Sequence, residues 1–319
     1  MTDRVPLRLR IAAIRYEADS VRSFELVAED GRVLPPVEAG AHIDLALPGG
    51  FTRSYSIINT TGPADRYLIA VNREADSRGG SAHLCDVARV GDLIDVTPPL
   101  NTFRLAEDAE ETLLLAGGIG ITPILGMVRR LKALGHCWRL VYAARSRAAA
   151  AFLPEILVLA AANPGGVTLH FDDEAGRYLD AAAAIGAASP QAHLYCCGPE
   201  PMLAAFKSAT AGRDPDRIHV EHFAGTAARP SGEFTVMLKR SGRTIVVPAG
   251  RTIMEVLQEA GIRVAYSCRS GVCGTCETRV LDGVPDHKDN VLSPREQASG
   301  KVIMICCSGA KSDLLVLDL

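Results

Sequence analysis

The chain of 319 residues contains no run of about 18 apolar residues, so no membrane-spanning helix is expected. It has little excess charge of either sign. A formal net charge of −3 gives no reason to expect nucleic acid or an acidic membrane surface as a partner. The first residues, Met-Thr-Asp-Arg-Val-Pro-Leu, lack the apolar core of a signal peptide, and the cytoplasm is the expected compartment. There is no internal repeat, and the short alanine runs Ala148–Ala151 and Ala181–Ala184 suit helices. The eight histidines include no H-E-x-x-H. His219 and His222, three apart on a predicted strand, should face opposite sides, so no histidine metal site is expected. What remains is 48% hydrophobic and 22% charged, the composition of a globular protein with ample core. The length suggests two or three domains at roughly 100–200 residues each.

Against these absences stand nine cysteines, three of them in Cys268-Arg-Ser-Gly-Val-Cys273-Gly-Thr-Cys276. That spacing, C-x4-C-x2-C with the pair Cys306-Cys307 further on, is the plant-type ferredoxin pattern for a [2Fe–2S] cluster. Each iron takes two thiolates besides its bridging sulfides, so four cysteines must converge. Three come from one loop and one from a distant segment. Gly271 and Gly274 let the backbone wrap closely and aim N–H groups at sulfur. Zinc sites use two short cysteine pairs, and only one is present. The remaining cysteines, Cys85, Cys137, Cys196, Cys197 and one of Cys306 and Cys307, read as free thiols.

Residues 7–104 read as β-rich. Strand patterns cover Leu7–Tyr16, Val21–Ala28, Ala41–Leu47, Arg53–Ile58, Arg66–Asn72 and Asp92–Thr97, and predict a small antiparallel barrel. Residues 105–223 alternate strands and helices, which predicts a parallel sheet with right-handed crossovers. Its strands are Thr112–Ala116, Arg139–Ala143, Val167–Phe171, Ala192–Cys196 and Ile218–Glu221. Its helices are Ile124–Leu134, Phe152–Ala162 and Pro201–Thr210. Residues 224–232 are small and suit a linker. Residues 233–319 form a third unit, with a hairpin around Ser241-Gly242, a helix over Ile253–Ala260, the cysteine loop and a last strand, Leu314–Leu319.

Two phosphate-binding patterns precede the cysteine loop. In Arg78-Gly79-Gly80-Ser81 two glycines and a serine open a helix, where free N–H groups favour a phosphate. Arg53-Ser54-Tyr55-Ser56 lies on a strand of the same barrel, with a cation, a flat ring and a hydroxyl. Gly117-Gly118-Ile119-Gly120 follows a strand and precedes a helix. It departs from G-x-G-x-x-G, but its glycines equally let backbone approach a pyrophosphate. Cys197-Gly198-Pro199 ends another strand, and the two glycine turns should line one crevice. Cys197 is expected at its mouth, with Cys196 turned to the core.

These motifs, in this order, resemble the phthalate dioxygenase reductase family, which includes the vanillate demethylase reductase subunits. The resemblance spans the chain and implies three domains: an antiparallel β-barrel flavin domain over 1–104, an α/β nicotinamide-binding domain over 105–223, and a β-grasp ferredoxin domain over 233–319. It implies that Arg53, Tyr55 and Ser56 hold the flavin, Tyr55 against the isoalloxazine and Ser56 near its reactive nitrogen. Gly79, Gly80 and Ser81 would bind the flavin phosphate, and family members of this domain order use FMN. Gly118, Gly120 and Thr122 would face NADH, with Cys197 near the nicotinamide. Phe223 would cover the flavin until nicotinamide displaces it. The metal ligands would be Cys268, Cys273, Cys276 and Cys306. Neighbours in an extended segment face opposite ways, so only one of Cys306 and Cys307 should reach the iron.

The resemblance further implies a reductase that takes a hydride from NADH onto FMN and passes single electrons through the cluster to a Rieske-type terminal oxygenase. Plant-type clusters lie near about −400 mV and Rieske centres between roughly −150 and +300 mV, so that direction is downhill. Arg145-Ser146-Arg147, after the second strand of the nicotinamide domain, could instead serve a 2′-phosphate. Other acceptors compatible with the motifs are a haem monooxygenase or a soluble ferredoxin, and a redox-sensing regulator is a remoter reading. Glu107-Asp108-Ala109-Glu110-Glu111 reads as a solvated turn.

Overall fold

The computed structural model describes residues 6–61, 65–75, 77, 79–223 and 229–319. Arg78 and most of the expected linker, 224–228, therefore lie outside the described residues. The chain forms two compact units, Met1–Glu221 and His222–Leu319.

The first unit begins with seven strands: β1 Leu7–Ala18, β2 Val21–Ala28, β3 Ala41–Leu47, β4 Phe51–Ser56, β5 Arg66–Asn72, β6 Leu93–Val96 and β7 Leu100–Asn101. They pair antiparallel in the order β4-β3-β6-β1-β2-β5, with β7 on β3. The expected barrel is present. Ile58, just past β4, donates its N–H to the Leu68 carbonyl on β5 at 2.8 Å and joins the two ends of the sheet. Alternating apolar residues such as Leu9, Ile11, Phe24, Leu26, Ile43 and Leu45 fill its interior.

A five-stranded parallel sheet follows. Its strands are β8 Thr112–Gly117, β9 Trp138–Ala144, β10 Val167–Phe171, β11 His193–Cys197 and β12 Ile218–Glu221, in the order β10-β9-β8-β11-β12. Every residue of central β8 is buried, which is why it reads as an unbroken apolar run. Cys196 and Cys197 belong to the cores on opposite faces of this sheet.

Barrel and parallel sheet share one core. Ala18, Val21, Ile58 and Phe103 pack with Ile121, Met127 and Val128 of helix Ile121–Leu134. The Thr60 hydroxyl donates to the Gly126 carbonyl at 2.8 Å, and Arg129 donates to that of Ile58 at 3.2 Å. The 107–111 segment departs from the solvated turn expected of it. Glu107 takes a two-pronged pair from Arg130 at 2.8 and 2.7 Å, and Glu111 pairs with Arg139 at 2.6 Å. The acidic run ties the connection to the helix and sheet beneath it.

The second unit carries β13 Phe234–Leu238, β14 Arg243–Val247, β15 Glu277–Asp282, β16 Pro285–Asp286, β17 Val302–Met304, β18 Gly309–Ala310 and β19 Leu314–Leu317. Strands β14-β13-β19-β15-β17 form a mixed sheet, with β13 and β19 parallel, and β16 pairs with β18. Helix Ile253–Glu259 packs on the sheet through Ile253, Met254 and Leu257. Its start is fixed by a capping box, Thr252 and Glu255 each satisfying the other's backbone N–H. Arg229 and Pro230 are already bound here, through Gly250 and Glu255, so the expected linker does not run free to residue 232.

Candidate functional site

At the barrel, a helical turn starts as expected at Gly80. It runs over α1 Gly80–Ala82 and continues through His83–Val87. Gly79 holds a φ of 116°, open to glycine but strained for other residues. A Cβ on Gly80 would lie 2.7 Å from Arg53 Cγ and 3.0 Å from its Nε. The two motifs therefore meet: the Arg53 side chain lies across the first residue of the helical turn. The Ser81 hydroxyl is 3.0 Å from that of Ser77, which accepts from the N–H groups of Gly79 and Ala82. Tyr55 is partly buried, and desolvation raises its phenol well above the usual range, keeping it neutral. Ser56 is buried at the end of β4. Cation, helix start, ring and hydroxyl fit a flavin bearing one terminal phosphate.

At the parallel sheet, the carboxyl ends of neighbouring strands β8 and β11 carry the two glycine turns. A Cβ on Gly120 would come within 2.1 Å of the Cys197 carbonyl oxygen and 2.9 Å of the Gly198 nitrogen. A Cβ on Gly117 would strike Pro199 at 2.7 Å and Met202 at 2.8 Å. Absent side chains are thus what lets the turns close on each other. Gly118, at φ 53°, has open space where a side chain would stand. The buried Thr122 hydroxyl donates to the Ile119 carbonyl at 3.0 Å and fixes the entry to the helix.

Cys197 differs from the expected open thiol. It is fully buried, and its Sγ donates to Glu221 Oε2 at 3.9 Å. Burial first, then the neighbouring carboxylate, raises this thiol far above its ordinary value. Glu221, at the end of β12, keeps some exposed surface but lies deep among protein atoms, and desolvation pushes its carboxyl up to about 8. The sequence offers no signal for Glu221; only the pairing of Cys197 with Glu221 on adjacent strands brings them together. Nor does it pair His219 with His193, whose rings stack with nitrogens 3.0 Å apart. Phe223 is 44% exposed and falls at the start of the second unit.

In the cysteine loop, Arg269, Gly271 and Gly274 take left-handed conformations with φ of 55°, 72° and 73°. The turn this makes aims backbone N–H groups at sulfur. Ser270 and Val272 lie 3.4 and 3.5 Å from Cys268 Sγ, and the Cys268 N–H lies 3.5 Å from Cys273 Sγ. The thiols form two pairs. The Cys268 thiol beside Cys273, and the Cys306 thiol beside Cys276, are the largest causes raising those groups well above the free-thiol range. Two pairs match two irons that each need two thiolates.

The argument from alternating faces does not carry over to Cys306 and Cys307. Residues 305–307 form a turn, closed by the Cys307 and Ser308 N–H groups on the Met304 carbonyl at 3.3 and 3.0 Å. The Cys306 thiol still lies beside that of Cys307, whose titration it lowers, as well as beside that of Cys276. Cys307 Sγ rests 3.7 Å from the Met304 carbonyl, and a Cβ on Gly271 would meet it at 2.6 Å.

Comparison with known proteins agrees with this geometry. Residues 114–208 match the oxidoreductase NAD-binding domain family, and residues 236–311 the 2Fe-2S iron-sulfur cluster binding domain family. The chain is 53% identical to the phenoxybenzoate dioxygenase subunit beta of Ectopseudomonas oleovorans, over 98% of each chain. It is 41% identical to the phthalate dioxygenase reductase of Burkholderia cepacia, over 98% of this chain and 97% of the relative. An intact type IV self-sufficient cytochrome P450 monooxygenase of known structure superposes on 99% of this chain and 41% of its own, with 37% identity and a TM-score of 0.90. Identity of this level along nearly the whole length, joined to the same two domain families, makes this chain a member of the phthalate dioxygenase reductase family.

Proposed function

We propose that this chain is the reductase component of a Rieske-type oxygenase system, drawing on NADH and holding FMN and one [2Fe–2S] cluster. The observation that carries the proposal is the presence, in one chain, of paired cysteines in a left-handed loop and glycine turns closed on each other at two strand ends. When bound, the flavin accepts the electron pair of a hydride and the cluster carries electrons singly, which is the conversion an NADH-fed oxygenase requires.

The chain's own residues do the rest. Arg53 and the Gly79-Gly80-Ser81 turn would bind the FMN phosphate, with Tyr55 lending a neutral ring face and Ser56 a hydroxyl at its edge. Gly118 and Gly120 would leave backbone bare for the dinucleotide, and Thr122 would hold the helix start in place. Cys197 and Glu221 give the strand ends a dry lining, with the proton on the Glu221 carboxyl at neutral pH. Phe223 keeps the proposed role of an aromatic exchanged against nicotinamide. Cys268 with Cys273, and Cys276 with Cys306, would each hold one iron, while backbone N–H groups face the sulfurs. The division into a flavin domain over 1–104, a nicotinamide domain over 105–223 and a ferredoxin domain over 233–319 belongs to the same proposal. So does a cytoplasmic location; among the described residues no helix is long and apolar enough to cross a membrane.

Reconstitution tests the partner. NADH consumption should become coupled to turnover when the purified chain is mixed with a Rieske-type oxygenase, and a Cys273→Ser variant should lose that coupling. Equal coupling to a haem monooxygenase and none to any Rieske-type oxygenase would contradict the proposal.

A further inference from the structure

The ends of β9 and β10 carry groups that the reading above leaves unused. Arg145-Ser146-Arg147 follows β9, and Asp172-Asp173-Glu174 follows β10, its parallel neighbour. The two segments are tied together. The Asp173 N–H donates to the Arg145 carbonyl at 3.1 Å, and within its own segment the Ser146 hydroxyl accepts from the Ala149 N–H at 3.2 Å. Arg147 is held on two sides. Its Nε and Nη2 donate to Glu174 at 2.5 and 3.1 Å, and its guanidinium lies over the Phe171 ring, 4.5 Å from the centroid. Glu174 reciprocally raises the Arg147 guanidinium above its ordinary range.

This is the carboxyl end of the strand next to the glycine turn, where the adenosine ribose of a dinucleotide falls in open parallel sheets. An arginine there ordinarily attracts a 2′-phosphate, because a guanidinium fork matches phosphate oxygens. Here the Nε and Nη2 side of that fork is already taken by a carboxylate, and Asp173 adds a second negative charge nearby. We infer that Glu174 acts as a clamp on Arg147 that sets dinucleotide choice, suppressing 2′-phosphate binding and so favouring NADH over NADPH. Glu174 is a specificity-determining residue acting through Arg147, and the inference rests on the nicotinamide-domain reading above. The pair is exposed, so the clamp adds little to stability and its worth lies in discrimination.

Equilibrium binding of two non-reducing probes, 5′-ADP and 2′,5′-ADP, to the purified flavin- and cluster-loaded chain tests this without turnover. A Glu174→Ala variant should bind 2′,5′-ADP roughly tenfold more tightly than the parent. Its affinity for 5′-ADP should stay within about twofold. Arg147→Ala in the Glu174→Ala background should abolish the gain. The ratio of kcat/KM for NADPH to that for NADH, with ferricyanide as acceptor, should move in parallel. A parent chain that selects NADH but whose 2′,5′-ADP affinity is unmoved in Glu174→Ala would overturn the clamp alone. A gain that survives removal of Arg147 would overturn it as well. A parent that takes NADPH as readily as NADH would overturn both the clamp and the NADH reading.

Discussion

Cys306 and Cys307 show how far single residues can be read. Spacing alone identifies the loop cysteines and narrows the fourth ligand to two neighbours. It cannot choose between them on strand alternation, because residues 305–307 turn rather than extend. Cys306 pairs with Cys276, while Cys307 packs under Gly271. Cys306→Ser should therefore abolish the cluster's visible absorption and stoichiometric iron, and Cys307→Ser should retain both; iron analysis of the two purified variants decides. Glu221 and His219 are the opposite case, because their state follows from burial that no local sequence pattern signals. Burial lowers His219 to about 4, with His193 adding repulsion. The unfolded chain then takes up the proton first, and stability is lost as pH falls from about 6.5 toward 4. The loss between pH 7 and pH 5 should approach ~2 kcal/mol, and His219→Gln should flatten it. Urea midpoints read on Trp138, the sole tryptophan, check this.

At the scale of elements, legibility follows periodicity. Strands β2, β3, β5, β10 and β12 appear with the ends their patterns predict, because each is half-buried or wholly buried with a clear boundary. Short elements such as Pro294–Ser299 and β17 in the second unit go unread, since two or three apolar residues give no period. The glycine turns were legible as flexible backbone, but their reason was not: Gly120 is required because β11 ends against it. Gly120→Ala must push apart the β8 and β11 strand ends, whose backbones leave no room for a methyl group. It should cost about 3 kcal/mol and raise the KM for NADH; urea unfolding and steady-state ferricyanide reduction measure the two effects. Thr252→Ala, which breaks the capping box of the Ile253–Glu259 helix, should cost about 1 kcal/mol without altering NADH affinity.

On the scale of the whole molecule, the sequence suggests three domains, and the chain forms two compact units because barrel and parallel sheet bury a common core. Patterning marks which residues of each element are apolar, but not that Met127 and Phe103, from different predicted domains, join one core. The second unit is small and buries four of its five thiols, with Cys268 partly exposed, so bound metal adds to its stability as a ligand of the folded form. Iron removal by chelation should lower the second unit's melting transition and leave the Trp138 transition in place. The central claim, that one chain joins NADH oxidation to a [2Fe–2S] cluster, is tested most directly by anaerobic titration with NADH followed by EPR. A signal of a reduced [2Fe–2S] centre growing with added NADH, with FMN identified by mass in the released cofactor, is the predicted result. Oxidation of NADH with no iron–sulfur signal at any ratio would contradict it.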